Sequence, residues 1–197
     1  MKTFIYIFIG LALVFIVTQA FMVRSTSKTE QHKYAVIKTY DNFEVRRYAK
    51  ALFSTVKLNE KSYEEVSGKG FRVLAGYIFG GNESNEKIAM TSPVAMEIGD
   101  SSKMSFMVPE GYSMENLPKP TDSKIYFEFK EEAIMAAIEF GGWASDEKIE
   151  EYKKKLIAEL EKEKIEYKGN FTYLGYNPPY EVFNRRNEIV VELLNYK

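Results

Sequence analysis

The order of local patterns in this chain occurs twice. A short alternation at Phe43 and Val45 is followed by a longer one, with Leu52, Ser54, Val56 and Leu58 against Phe53, Thr55 and Lys57. Tyr63, Val66, Gly70, Leu74 and Tyr77, with Phe71 and Ile78 alongside, then trace one helical face. Strand-like segments return over residues 87–98 and at Met104, Phe106 and Val108. The second half starts with Ile125, Phe127 and Phe129, then Ile134, Ala136, Ile138 and Phe140. A helical stripe follows at Ile149, Tyr152, Leu156 and Leu160, and strands are expected over 171–176, 180–183 and 188–194. Both helices are expected to end at Gly-Asn, Gly81-Asn82 and Gly169-Asn170, and a proline-interrupted strand follows each. This is a duplicated unit of strand, strand, helix, strand, strand. It predicts an α+β fold: a twisted, eight-stranded antiparallel, barrel-like sheet of two βαββ-type repeats with two flanking helices. Closing such a sheet removes its edges.

Local signals support the helices. Ser62 and Glu65 form a capping box, and Ser145 precedes Asp146 and Glu147 in a first turn where the helix dipole favours acids. The charges at 153–155 and 159–164 read as the solvated side of the second helix.

Residues 4–23 carry no charge, and a helix of that length, at about 1.5 Å per residue, crosses a bilayer core. Residues 1–23 therefore read as a membrane anchor, since apolar residues continue through Phe21, Met22 and Val23. The alternative is a signal peptide with its exit at Thr18-Gln19-Ala20. Lys2 precedes the segment and Arg24 and Lys28 follow, so orientation is weakly determined. The expected placement is a tethered domain on the non-cytoplasmic side, secreted or periplasmic if the segment is removed. Residues 24–33 read as a polar linker, with His32 solvated at its end, and 34–197 as one domain.

Composition excludes several functions. A formal charge of −1 does not make the basic face that nucleic acid requires. With no Cys there is no thiol nucleophile, thiolate metal site or disulfide. One His, no GxSxG, no HExxH and no P-loop leave no nucleophile–base pair, so a non-enzyme is expected.

What remains is apolar. Residues 70–94 put Phe71, Leu74, Ala75 and Ile78 of the first domain helix opposite Ile88, Met90 and Val94, with Lys69 and Arg72 nearby. That seam is the first candidate ligand site. The second is Tyr176 with Arg185 and Arg186, where two arginines could take carboxylates bidentately or be plain surface.

An ordered set of residues carries a family resemblance. It comprises Glu44-Val45-Arg46-Arg47-Tyr48, the Gly70-Phe71 helix to Tyr77-Ile78, Asn82, and the run Lys87-Ile88-Ala89-Met90-Thr91-Ser92-Pro93-Val94. Phe140-Gly141-Gly142, Tyr176-Asn177-Pro178-Pro179 and Arg185-Arg186-Asn187-Glu188 complete it. From about Tyr34 to Leu194 the chain resembles the SOUL family of haem-binding proteins, whose fold is similar to effector-binding modules of bacterial multidrug regulators. The resemblance implies non-covalent binding of haem or another tetrapyrrole in a shallow apolar cleft along the first domain helix. The chain departs from some relatives, which carry His where Arg47 stands and basic residues where Gly68, Gly76 and Glu181 stand; Lys69 and Arg72 are the nearest replacements. No His ligand to the iron is expected, which leaves Tyr77 or Met90 as candidates. The alternative function is a general effector-binding or protein-interaction module taking other planar amphipathic ligands in the same cleft.

Overall fold

The computed structural model describes residues 2–26 and 28–196; along the first helix the described side chains are those of residues 4–19 and 24. Helix α1 (Lys2–Thr26) leads to β1 (Tyr34–Thr39), β2 (Glu44–Tyr48), β3 (Ala51–Leu58), α2 (Tyr63–Ile78), β4 (Val94–Glu97) and β5 (Ser102–Met107). Then come β6 (Ile125–Lys130), β7 (Ala133–Gly141), α3 (Asp146–Lys162), β8 (Tyr167–Gly175) and β9 (Arg186–Leu193). All strands pair antiparallel in one curled half-barrel sheet, ordered β1-β2-β7-β9-β8-β4-β5-β3-β6.

The duplication explains that order. One unit is β2, β3, α2, β4, β5; the other is β6, β7, α3, β8, β9. The units meet at β4 and β8, where Val94 to Glu97 pair with Gly175 to Thr172. Each gives its first strand to the other: β2 pairs with β7, and β6 with β3. Helix α2 packs on β3 and β5, and α3 on β7 and β9, so the helices lie on either side of the central pair. Their N-terminal ends meet, with the Tyr63 amide donating to Asp146 Oδ1 at 2.6 Å.

Both helix starts match the sequence. Ser62 accepts from the Glu65 amide and donates to its carboxylate, and Ser145 accepts from the Lys148 amide. Gly70 lies against the sheet; a Cβ there would sit 2.9 Å from Leu58 Cδ1 and from Met104 Cβ.

Five expectations need correction. The sheet has nine strands, because β1 adds outside the duplicated units; its residues are mostly exposed, so no apolar alternation announces it. The strand expected over 87–98 is limited to β4, because 87–93 runs irregularly through the cis Ser92–Pro93 bond and pairs with the N-terminal segment: the Ser92 amide donates to Glu30 O, and the His32 amide to Ser92 O. Residues 180–183 form a loop, since the side chain of Gln19 takes the Val182 amide and Tyr180 carbonyl that a ladder would use. Helix α3 stops at Lys162, with Lys164 left-handed at φ 57°, and Gly169-Asn170 lies inside β8. The linker expected over 24–33 begins within α1, and His32 at its end is packed: its Nε2–H donates to Ala49 O at 2.7 Å, and its ring lies 5.0 Å from Tyr48 and 5.4 Å from Phe53.

Among the described residues no helix is long and apolar enough to cross a membrane. The apolar continuation through Phe21, Met22 and Val23, and the alternative exit at Ala20, lie outside the described side chains.

The two faces of the sheet differ. Ile189 and Val191 of β9 join the large core beneath the helices with Val45, Leu74, Phe106 and Leu156. Strand alternation sends Glu188 and Val190 to the other face, where Val190 packs with Ala95, Ala137, Leu174 and Tyr176.

Candidate functional site

A groove of about 620 Å³ opens on the helical face, over the central strand pair. Met96 and Ile98 on the β4 side, and Phe171 and Tyr173 on β8, form its floor. The first half of α3, with Ile149, Glu150 and Lys153, walls one side; Lys61 and the β4–β5 turn wall the other. Tyr173 holds the inner end: its ring meets Tyr63 edge-on at 5.2 Å and its hydroxyl donates to Asn187 Oδ1 at 2.7 Å. Burial raises the pKa of that hydroxyl above the usual tyrosine value. The rim mixes signs. Lys61 pairs with Asp100 at 2.6 Å, Lys153 with Glu150 at 3.3 Å, and Lys103 lies 3.9 Å from Glu97. Pairs as exposed as Lys61–Asp100 and Lys153–Glu150 are screened by water and hold weakly, so a ligand carboxylate can replace the protein one.

None of the candidate ligand-site residues named from the sequence lines this groove. The expected seam along α2 exists but is closed. Leu74, Ala75, Ile78 and Ile88 are core, and the gap left beside Ile78, Met90 and Phe106 is about 10 Å³, about one water. Phe71, 39% exposed, rests on Phe106 at 5.5 Å. Lys69 pairs with Glu60 outside the seam, and Arg72 lies on the exposed side of α2.

The second candidate group is divided. Tyr176 and Arg186 belong to a buried polar network on the face away from the helices. At its centre Glu188, with no exposed side-chain surface, accepts from Arg46 Nη1 (2.9 Å to both oxygens), Arg186 Nε and Nη2 (3.0 and 2.6 Å) and the Tyr176 hydroxyl (2.9 Å). Burial and the charge of Glu188 push the Tyr48 hydroxyl up to about 12. Arg185 is elsewhere, bonded to the carbonyls of Asn177, Pro178 and Glu181. Both Arg185 terminal nitrogens and Arg186 Nε and Nη2, which could have taken ligand carboxylates, are thus engaged within the protein. Among the described residues there is no group of three or more His, Cys, Asp or Glu able to hold a metal.

What fold and groove together define is a class: a duplicated α+β half-barrel with an open groove over the strands where its repeats meet. Residues 29–192 match the SOUL heme-binding protein family, and the chain belongs to it. It is similar to Heme-binding protein 1 of Xenopus laevis, at 28% identity over 155 residues, covering 75% of this chain and 81% of that protein. Heme-binding protein 2 of Homo sapiens is 27% identical over 157 residues, covering 75% of this chain and 76% of that one. Among solved structures, the C-terminal domain of EcmrR superposes with a TM-score of 0.62 at 7% identity, covering 83% of this chain and 99% of that chain. At that identity the likeness concerns the fold alone.

Proposed function

We propose that the protein binds haem or a related tetrapyrrole non-covalently in the groove between α3 and the β4–β5 turn, as a membrane-tethered carrier or buffer. The observation that carries the reading is the groove itself: about 620 Å³ over the repeat junction of a SOUL-family chain, within the roughly 300–1,000 Å³ usual for ligand sites. The residues fit a planar amphiphile. Phe171, Ile149 and Ile98 would cover its faces, and Lys61, Lys103 and Lys153 would take its carboxylates. Met96 supplies a thioether at the floor, while His32 packs against Tyr48 and Phe53, away from the groove, in keeping with an iron that has no His ligand. The tether is supported by α1, whose side chains Phe4, Phe8, Leu11 and Val17 are exposed.

Haemin titration of the full chain, followed by the Soret band, tests the site. Phe171→Asp should weaken binding at least about tenfold, whereas Phe71→Asp on α2 should change it less than about threefold. The reverse ranking in two folded variants would move the site to α2.

A second reading, an effector module for other planar amphiphiles, is favoured by the rim, where Glu97, Asp100, Asp146 and Glu150 outnumber Lys61, Lys103 and Lys153. Thermal shift separates the two, since stabilisation follows affinity and concentration. Cationic dyes that stabilise the protein more than haemin does would favour the second.

A further inference from the structure

The loop between β8 and β9 is turned inside out. Its charges point inward: Glu181 is 1% exposed and accepts from Asn177 Nδ2 at 2.7 Å, and the Arg185 guanidinium is spent on three loop carbonyls. Glu181 Oε1 and Arg185 Nε are buried without any partner among the described residues. The apolar side chains point outward. Tyr180, Val182 and Phe183 are exposed, Phe183 by 54%, and Trp143, stacked under Arg185 at 4.1 Å, extends the patch. A loop in water gains by the opposite arrangement, since buried charge costs free energy and exposed apolar area gains none.

The patch is fixed beside α1. Gln19, buried at the end of a run of mostly exposed side chains over residues 4–18 of α1, clamps the loop with both ends of its amide: Nε2 donates to Tyr180 O at 3.1 Å and Oε1 accepts from the Val182 amide at 3.2 Å. Phe15 meets Phe183 edge-on at 6.3 Å. The apolar surface of the loop therefore continues that of the helix, and whatever apolar phase takes one takes the other. Trp and Tyr at its margin suit the boundary between acyl chains and headgroups, where one end of the ring is dry and the other wet.

We infer that Tyr180, Val182, Phe183 and Trp143 form a lipid-contacting face, and that the domain is docked on the bilayer by the Gln19 clamp rather than swinging on a linker. The inference rests on the tether in the proposed function and is independent of haem.

Trp143 is the sole tryptophan, so its fluorescence reports on this face alone. The full chain is reconstituted in nanodiscs of phosphatidylcholine and of its acyl-brominated analogue. Trp143 emission should fall at least about twofold in the brominated discs. Tyr180→Ser with Val182→Ser and Phe183→Ser, and separately Gln19→Leu, should remain in the discs yet lose most of that quenching. Equal emission in both kinds of disc, with the protein incorporated, overturns the lipid-contacting face and leaves the tether standing. Failure to enter the discs overturns both. Two chains per disc with Trp143 shielded from acrylamide but unquenched by bromine assigns the face to a second copy and likewise overturns the inference.

Discussion

Replacing Glu188 by Gln should be among the most damaging substitutions in this protein that touch nothing in the groove. Three side chains converge on that carboxylate with five hydrogen bonds, and Arg46, 3% exposed, has little access to water. Gln keeps the shape but removes the charge that balances two guanidinium groups. Arg186 can fall back on Glu139, 3.2 Å away, but Arg46 retains Glu44 at 2.8 Å as its one remaining carboxylate among the described residues, beside the neutral Tyr48 hydroxyl at 3.2 Å. Removing one partner of a buried pair costs about 3–5 kcal/mol. Against a total stability of about 5–15 kcal/mol the variant still folds, but marginally. With a urea m-value of about 2–3 kcal/mol/M, the midpoint should fall by roughly 1–2.5 M.

The control is Arg46→Met combined with Glu188→Leu. Apolar replacement of a whole buried pair is often neutral or stabilising, so the double variant should recover most of the loss. That recovery, a coupling of several kcal/mol, is what distinguishes a charge network from general disruption of the inner face. A Glu188→Gln midpoint within about 0.3 M of the parent, or a double variant as unstable as the sum of its singles, would refute the reasoning.

The glycines of α2 should sort by contact. Gly68→Ala and Gly76→Ala meet nothing within 4 Å and should each stabilise by up to about 1 kcal/mol, while Gly70→Ala should destabilise by roughly 1–2 kcal/mol as its methyl displaces Met104; circular dichroism melts will show whether the signs differ. Burial holds the pKa of His32 below its usual value despite the hydrogen bond to Ala49 O, so its contribution to stability is complete above pH of about 6.5 and is lost as pH falls through the folded-state value. His32→Gln should therefore flatten the acid limb of stability below about pH 6.5, and an unchanged limb counts against the packing of this ring. Ser145→Ala should cost about 0.5–2 kcal/mol in urea denaturation through loss of the α3 cap, and no loss would mean that another group takes the Lys148 amide.

The repeat was legible because each unit carries its own periodicity. Alternation at Leu52 to Leu58 and Ile134 to Phe140, and stripes at Val66 to Tyr77 and Ile149 to Leu160, are one-dimensional records of which side faces the core. The exchange of β2 and β6 between units was not, because pairing across units depends on residues such as Val45 and Ala136 that any strand could offer. β1 was missed since an edge strand buries little. The Glu188 network was half visible: Glu44, Arg46, Arg186 and Glu188 alternate on two strands, a pattern that marks one face carrying charge. What hid its meaning was the distance in sequence, since Arg46 and Glu188 meet only after the second unit has folded against the first.

The two helix seams show why the groove escaped the sequence. Duplication makes a seam under each helix, and apolar density singles out the one under α2, with Phe71, Leu74, Ile78, Ile88 and Met90. That density is a record of filling. Side chains of this size at these positions close the space to about 10 Å³. The α3 seam has Gly99, Asp100 and Ser101 on one side and Gly169 and Asn170 on the other, and of α3 itself only Leu156 and Leu160 are fully buried. Small and polar residues there leave room, and nothing larger fills it; a Cβ at Gly99 or Gly169 would touch nothing within 4 Å. An apolar run thus signals a packed seam, whereas an open groove is left by the repeat whose apolar residues fall short of what its equivalent needs to close. By that logic, supplying the missing bulk with Gly169→Trp should close the groove to haemin at little cost in stability, while the same residue forced into the α2 seam at Ala75 should unfold the protein before it affects binding.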